Sequence, residues 1–431
     1  MRSGIVLAAS LAVVGPALAQ DVPPPADGGV RVGITYTPGV RSRLIMLPGP
    51  GLDSVRAIIQ RDLDFSDRFE VLSLGPGAPG GGGGAVNYPL YRTLGADYGV
   101  EVGTSGSGVN VRLHDVRTGQ IRQQQGYYLP PPTDPGFRMA VHSISDEVVR
   151  WATGTPGIAA SRLLLISAKR VYRVDSDGAN LSAISPAGET ALSPAWSPDG
   201  QTIAYTRFGE GKGAIVVQRL DGSARRTVPT TESQLNYTAA FSPDGRTLAF
   251  SRSAEDGSTD IYAVNLAEMC CARRLTVGRF ADNLSPTFAP DGRRVAFVST
   301  RAGPPQVYAM SVEGTDQELL APFDYGVSGS SNAPEWSPDG ASVAFHREVN
   351  RSQQIFILDV GSRRVRQLTS SGRNEDPTWA SDGRHLAFIS DRSGRRQVWI
   401  IDIETGRVRQ LMTPGETRLP AWSRRLVAGR P

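Results

Sequence analysis

From about residue 190 onward, short segments alternate apolar and polar positions, and each follows the same kind of aromatic turn. At residues 194–200 the chain reads Pro-Ala-Trp-Ser-Pro-Asp-Gly, and related sequences recur at residues 239–245, 286–292, 334–340 and 377–383. In such a turn proline presets φ, aspartate accepts local backbone hydrogen bonds and glycine adopts a positive φ. The alternating segment after each turn, such as Thr-Leu-Ala-Phe-Ser at residues 247–251, predicts a β-strand.

The spacing of the turns indicates a β-propeller, because successive aromatic residues lie 45, 47, 48, 43 and 43 positions apart, the length of a four-stranded blade. Residues 162–185 have the later strands of a blade but no aromatic turn. The final Pro-Ala-Trp-Ser at residues 420–423 has a turn but no blade after it. Pairing these pieces completes a sixth blade and hides the sheet edges. The aromatic residues are Trp196, Phe241, Phe288, Trp336, Trp379 and Trp422.

The chain before the propeller mixes helical and strand patterns. Val55, Ile58, Ile59 and Leu63 share one face of a predicted helix that Asp53 caps. We therefore predict a six-bladed β-propeller at residues 161–431, closed by its C-terminal strand, after a small α/β domain at residues 20–155. Further helices are predicted at residues 90–94 and 135–152, and strands at residues 30–36, 43–47, 69–73, 98–103, 109–115 and 121–128.

The first residues have the pattern of a secretory signal peptide. Arg2 precedes an apolar run from Gly4 to Val14, and Ala-Leu-Ala follows at residues 17–19. The run is about half as long as the ~20 apolar residues that a membrane span requires. We predict that residues 1–19 are removed on export and that the mature protein is soluble.

Composition and charge exclude several classes of function. The chain is 39% hydrophobic with a formal net charge of +4, and its arginines are scattered, so we expect no nucleic-acid partner. The glycine run at residues 75–84 lacks the Gly-Lys-Ser/Thr ending of a P-loop. The adjacent Cys270 and Cys271 close only a strained ring, so two reduced or adventitiously oxidised thiols are the default, with a redox function as the alternative.

The residue types that support catalysis or metal binding lack the necessary spacing. No Gly-x-Ser-x-Gly sequence occurs, so a propeller-bearing hydrolase is disfavoured. His142 is expected to form a surface pair with Asp146, one helical turn away. We predict no catalytic residue, no metal site and no cofactor. The histidines His114, His142, His346 and His385 lack metalloprotease spacing, and the aspartates Asp199, Asp244, Asp291, Asp339 and Asp382 are expected to cap their own turns.

The mature chain resembles the TolB family, periplasmic propeller proteins of the Tol-Pal envelope system. The resemblance rests on domain order: an export signal, an α/β domain with Leu-Gly-Ala-Asp-Tyr-Gly-Val at residues 94–100, a helix with His-Ser-Ile-Ser-Asp-Glu-Val-Val at residues 142–149, and repeats that end in a lone Pro-Ala-Trp-Ser. It implies a non-enzymatic, monomeric periplasmic scaffold. Its implied partners are the lipoprotein Pal, at the propeller, and TolA or other inner-membrane Tol proteins, near the mature N-terminus.

The polar residues that precede each first strand surround the mouth of a propeller channel, and the resemblance implies that Pal binds there. Solvated loops are the plain alternative for most positions. An exported propeller that binds a glycan or small molecule also remains open. The candidate partner-binding residues are Asn236, Tyr237, Asp282, Asn283, Ser331, Asn332, Asn374, Glu375, Glu416 and Thr417, with Glu189 and Thr190 in the corresponding loop of one further blade.

Overall fold

The computed structural model contains six four-stranded sheets and one five-stranded sheet with helices. These sheets confirm the predicted fold class, a six-bladed propeller preceded by a small α/β region. The predicted signal peptide, the strand at residues 30–36 and the glycine run lie outside the described residues. The structure describes residues 41–74, 86–106, 108–209, 212–230, 234–253, 257–278, 280–323, 329–413 and 415–426.

The α/β region is built around a sheet in the order β2-β1-β3-β4-β5, in which β1 is parallel to β2 and β3. Helices α1 and α3 pack together, and Ile59, Leu63 and Val148 join the core formed with Val100 and Val111. The elements are β1 (Ser42–Met46), α1 (Asp53–Phe65), β2 (Phe69–Leu72), α2 (Tyr88–Thr93), β3 (Tyr98–Ser105), β4 (Gly108–Asp115), β5 (Gln120–Tyr128) and α3 (Phe137–Thr153).

The start of α1 differs from the prediction. The predicted buried face is confirmed, since Val55, Ile58, Ile59 and Leu63 are buried, but Asp53 is not the cap. Leu52 occupies that position with a φ of 56°, and Asp53 lies inside the first turn. The Asp53 carboxylate instead accepts a hydrogen bond from Arg56 at 2.5 Å, one turn along the helix.

All six blades have the same strand order. In each blade the innermost strand pairs antiparallel with the second strand, and the antiparallel pairing continues outward to the fourth strand. The strands are β6 (Arg162–Ser167), β7 (Arg170–Asp175) and β8 (Ser182–Ala183) in the first blade; β9 (Thr190–Trp196), β10 (Thr202–Gly209), β11 (Lys212–Arg219) and β12 (Arg226–Thr227) in the second; β13 (Asn236–Phe241), β14 (Thr247–Ser253), β15 (Thr259–Asn265) and β16 (Arg273–Arg274) in the third; β17 (Asn283–Phe288), β18 (Arg294–Ser299), β19 (Gln306–Ser311) and β20 (Glu318–Leu319) in the fourth; β21 (Ser331–Trp336), β22 (Ser342–Val349), β23 (Ser352–Asp359) and β24 (Val365–Gln367) in the fifth; β25 (Asn374–Trp379), β26 (His385–Ser390), β27 (Gln397–Asp402) and β28 (Val408–Gln410) in the sixth; and β29 (Arg418–Trp422).

Strand β29 supplies the innermost strand of the first blade. It pairs antiparallel with β6, and Trp422 lies opposite Leu163. The backbone N–H of Ser423 donates to the carbonyl of Arg162 at 2.8 Å, and the indole N–H of Trp422 donates to Ser161 Oγ at 2.8 Å. Residues more than 250 positions apart therefore share one sheet.

The repeated aspartates cap their own turns, as predicted. Asp199 Oδ1 accepts from the N–H of Gln201 at 2.9 Å and from the hydroxyl of Ser197 at 2.5 Å. Gly200 has a φ of 67°, a left-handed conformation that favours glycine. The same backbone contact is made by Asp244, Asp291, Asp339 and Asp382.

Candidate functional site

The innermost strands define two faces of the propeller. The upper face is the one at which these strands begin, and the lower face is the one at which they end in the aromatic turns. Because the strands of each blade are antiparallel, the connection between the third and fourth strands also lies on the lower face. The predicted partner-binding residues all lie at the upper face, at or just before the start of an innermost strand.

The structure divides these predicted residues into two groups. The first group is buried and consists of Asn236, Asn283, Ser331, Asn374 and Thr417. The second group retains exposed surface and consists of Tyr237, Asp282, Asn332, Glu375 and Glu416, together with Glu189 and Thr190. Only the second group is available for contact with a partner in this conformation.

The buried group anchors the upper ends of four blades through arginines that the sequence analysis did not single out. Arg252 Nε donates to Asn236 Oδ1 at 2.8 Å, and its guanidinium lies 4.8 Å from the centre of the Tyr262 ring. The corresponding pairs are Arg301 with Asn283, Arg347 with Ser331 and Arg392 with Asn374. A sequence signal exists, since each arginine follows the phenylalanine of the second strand by two or four residues.

Each innermost strand also contains a β-bulge below its first residues. Thr238, for example, has a φ of 47° at the point where the register with β14 shifts. Its N–H donates to Thr206 Oγ1 of the preceding blade at 3.2 Å, so the bulge links neighbouring blades. The residues with positive φ are Ser193, Thr238, Ser285, Ala333, Asp376 and Leu419.

Two carboxyl groups of the innermost strands have strongly perturbed pKa values. Burial raises the pKa of Glu335 to about 7, although this carboxyl accepts hydrogen bonds from the Thr378 hydroxyl and the Trp379 N–H, both at 3.1 Å. Burial and the charge of Glu375 raise the pKa of Asp376 to about 7. Glu335 lines a cavity of about 550 Å³ at the lower face, together with all six aromatic residues of the turns.

Replacing Glu335 with glutamine is expected to flatten part of the pH dependence of stability. A carboxyl whose pKa is raised in the folded state binds its proton more tightly there than in the unfolded state. Its contribution to the free energy of unfolding therefore decreases as pH rises from about 4.5 to 7. The free energy of unfolding of E335Q should rise by about 2 kcal/mol relative to that of the unsubstituted protein when pH is raised from 5 to 8, after allowance for partial solvation.

Urea unfolding at both pH values measures this difference, with E313Q as the control at an exposed glutamate. An equal difference between E335Q and the unsubstituted protein at pH 5 and pH 8 would contradict the raised pKa.

The lower face of the first and sixth blades contacts the α/β region through buried charges. His385 Nδ1 lies 2.7 Å from Asp382 Oδ2, and its Nε2 lies 3.2 Å from Asp67 Oδ2, just beyond α1. Burial opposes protonation of His385, but the charges and hydrogen bonds of both aspartates outweigh it and raise its pKa to about 9. Arg407 donates to the other oxygen of Asp67 at 2.8 Å.

A second buried histidine joins α1, α3 and the first blade. His142 Nδ1 lies 2.8 Å from Asp62 Oδ2, and its Nε2 lies 3.8 Å from Asp177 Oδ2. The predicted surface pair of His142 with Asp146 is therefore wrong. Asp146 instead accepts the N–H groups of Ala159 and Ala160, at 2.7 and 3.0 Å, because the connection to the propeller folds back onto α3.

Both histidine clusters bring together metal-ligating groups, namely Asp62, His142 and Asp177, and Asp67, His385 and Asp402. Cationic groups already neutralise these carboxylates. Arg138 pairs with Asp177 and Arg384 pairs with Asp402. These guanidinium groups supply positive charge beside the carboxylates of both clusters, and the clusters are suited to joining the two regions.

Comparison with known proteins identifies the family. A family model described as "TolB beta propeller domain" matches residues 151–325 and 324–426. The chain belongs to this family. It is 32% identical over 310 residues to the Tol-Pal system protein TolB of Bordetella pertussis, an alignment that covers 68% of each chain. A Protein TolB homolog of Chlorobium chlorochromatii is 32% identical over 225 residues, covering 50% of this chain and 49% of that relative.

Solved structures support the same fold. The crystal structure of TolB from Acinetobacter baumannii matches with a TM-score of 0.76 at 24% identity, covering 90% of this chain and 98% of that chain. Among the described residues, none of the helices combines the length and apolar character needed to cross a bilayer.

Proposed function

We propose that this protein is a periplasmic, non-catalytic scaffold of the Tol-Pal system, whose upper propeller face binds the lipoprotein Pal. In this proposal residues 1–19 are a signal peptide, residues 20–155 form the α/β domain and residues 161–431 form the propeller. The region near the mature N-terminus contacts TolA or another inner-membrane Tol protein. Such a scaffold supports the integrity of the outer membrane and its constriction during cell division.

This proposal rests on the arrangement of buried and exposed polar residues at the upper face of a chain that belongs to the TolB family. Buried Asn and Ser residues hold the starts of four innermost strands through hydrogen bonds from arginines, and partly exposed polar side chains lie beside them. Rigid support of exposed contact residues limits the entropy lost on binding. The α/β region contacts the opposite, lower face through Asp67 and His385, which leaves the upper face available to a partner.

Charge reversal at Glu416 tests the position of the binding surface. The Glu416 side chain is 57% exposed at the upper face, where it lies 3.8 Å from Arg418. If Pal covers this edge, E416R should weaken binding of the lipid-free Pal domain by about tenfold, because a mispaired rim charge slows association. Titration calorimetry with the Pal domain of the same bacterium measures the change.

Glu313 provides the matched control on the lower face. Its side chain is 70% exposed and pairs with Arg273 at 3.0 Å, so E313R makes the same charge change in a similar setting. E313R should bind Pal as tightly as the unsubstituted protein. Equal losses in both variants would argue for a general charge effect, and the absence of any Pal binding by the unsubstituted protein would refute the proposal.

The lower cavity favours a second candidate, a propeller that binds a glycan or another small molecule. Its volume of about 550 Å³, its six aromatic residues and the carboxyl group of Glu335 are typical of ligand pockets. Native mass spectrometry of protein isolated from envelope extract distinguishes the candidates. A bound small molecule without a protein partner would favour the second, whereas co-purification of a peptidoglycan-binding lipoprotein would favour the first.

A further inference from the structure

Cys270 and Cys271 lie in the connection between β15 and β16 of the third blade, and both are exposed. Their Sγ atoms are 2.9 Å apart, closer than the usual contact distance of two sulfur atoms. They are the only cysteines of the chain, so each is the only thiol with which the other can close an intramolecular disulfide.

The backbone of this connection brings the two thiols together. Met269 and Cys271 have left-handed φ values of 53° and 55°, which are uncommon for residues other than glycine. Met269 is only 8% exposed and packs into the core between the second and third blades. Its N–H donates to the carbonyl of Asn265 at 2.8 Å, and Asn265 Oδ1 accepts the N–H of Ala267 at 2.8 Å. The turn is therefore anchored on the N-terminal side of its exposed tip.

We propose that Cys270 and Cys271 are a reversible oxidation site that closes a vicinal disulfide by exchange with a disulfide of the surrounding compartment. One cysteine thiolate attacks the external disulfide, forms a mixed disulfide and releases one thiol. The neighbouring thiolate then attacks the cysteine sulfur of that mixed disulfide, closes the ring and releases the second thiol. The two cysteines lose two protons and two electrons, and the external disulfide is reduced to two thiols.

The geometry favours ring closure over retention of the external thiol, because the second sulfur is already in place and the step is intramolecular. The hydrogen bond between the two thiols and the nearby charges of Cys271 and Glu268 raise the pKa of the Cys270 thiol, so exchange through Cys270 should become faster as pH rises.

The closed ring should also be easily reduced. Adjacent Cα atoms across a trans peptide lie about 3.8 Å apart, whereas disulfides usually join Cα atoms ~4.4–6.8 Å apart. This strain favours the dithiol, so the pair should respond to moderate changes in redox potential, unlike a structural disulfide. The oxidising compartment follows from the proposed export, but the exchange chemistry can be tested without it.

The site is tested by incubating the purified full chain with oxidised glutathione and measuring intact mass and alkylatable thiols. We expect loss of two hydrogens, no retained glutathione and no alkylatable thiol, all reversed by reduced glutathione. C270S and C271S each retain one thiol without a partner, so each should keep one bound glutathione. Retained glutathione on the unsubstituted chain, disulfide-linked dimers or thiols that stay alkylatable would overturn the proposal. Far-ultraviolet circular dichroism of all three proteins checks that the fold is unchanged.

Discussion

Replacing Trp422 with alanine is expected to destabilise the propeller by about 3–5 kcal/mol and to open the first blade before the others. Trp422 is 6% exposed and packs with Leu163 and Leu165 of β6 and with Ala380 of the sixth blade. Alanine removes these contacts and the hydrogen bond to Ser161. Because β29 is only five residues long, it has few other apolar anchors that would hold it against β6.

Urea unfolding measures the loss of stability, and hydrogen exchange locates it. Amides of β6 should exchange faster in W422A, whereas those of β22, in the fifth blade, should change much less. W422F preserves most of the ring volume and loses the indole hydrogen bond, so we expect it to lose only about 1–2 kcal/mol. A uniform rise in exchange across all blades would contradict the prediction that the first blade opens before the others.

The strands and turns of the propeller were predictable because their signals are local. Each Asp-Gly turn and the alternating strand after it fall within about a dozen residues, so a single segment carries its own structure. The ring closure was also predictable, because the isolated aromatic turn around Trp422 and the incomplete blade that begins at Arg162 together make one complete blade. These features follow from the spacing of the repeats and from the residue preferences of turns, which do not depend on contacts between distant side chains.

The buried charges were not predictable in the same way. His142 pairs with Asp62, 80 positions earlier, and the sequence offered Asp146 as a nearer partner on the same helix. Nothing within the α3 segment shows that the connection at Ala159 and Ala160 uses the Asp146 carboxylate. Partners brought together only by packing of two regions leave no local pattern.

The polar residues at the upper face show an intermediate case. The repeat placed them near the start of the innermost strands, but the prediction that they lie in the preceding loops was wrong for most of them, which form the first residues of these strands. Their burial was not evident, because Asn236 and Tyr237 are neighbours with different environments. An arginine two or four residues after the second-strand phenylalanine marks the four blades in which the first residue of the innermost strand, such as Asn236, is a buried anchor.

Replacing His385 with glutamine is expected to cost about 3–5 kcal/mol at pH 6, because it removes the cation between two buried carboxylates. His385 and Asp382 belong to the sixth blade, whereas Asp67 follows α1, so the loss should affect the contact between the propeller and the α/β region. Arg407 and Arg384 still contact Asp67, which keeps the variant folded enough for measurement.

The loss of stability in H385Q should depend on pH in a defined direction. The folded pKa of about 9 lies above the unfolded value of about 6.5, so the stabilisation by His385 is complete below pH 6.5 and disappears as pH rises through 9. The difference in unfolding free energy between H385Q and the unsubstituted protein should therefore shrink between pH 6 and pH 9.5. Urea unfolding across this range measures it.

His346 provides a control of opposite sign. Burial lowers the pKa of His346 to about 4, and its neutral Nδ1 accepts the N–H of Asp376 at 3.1 Å. Its contribution to stability is therefore present above pH 6.5 and is lost as pH falls towards 4. H346Q should differ from the unsubstituted protein by a constant amount between pH 8 and pH 9.5, above the pKa of the neighbouring Asp376. If H385Q also differed by a constant amount there, His385 would not be a protonated link between the propeller and the α/β region.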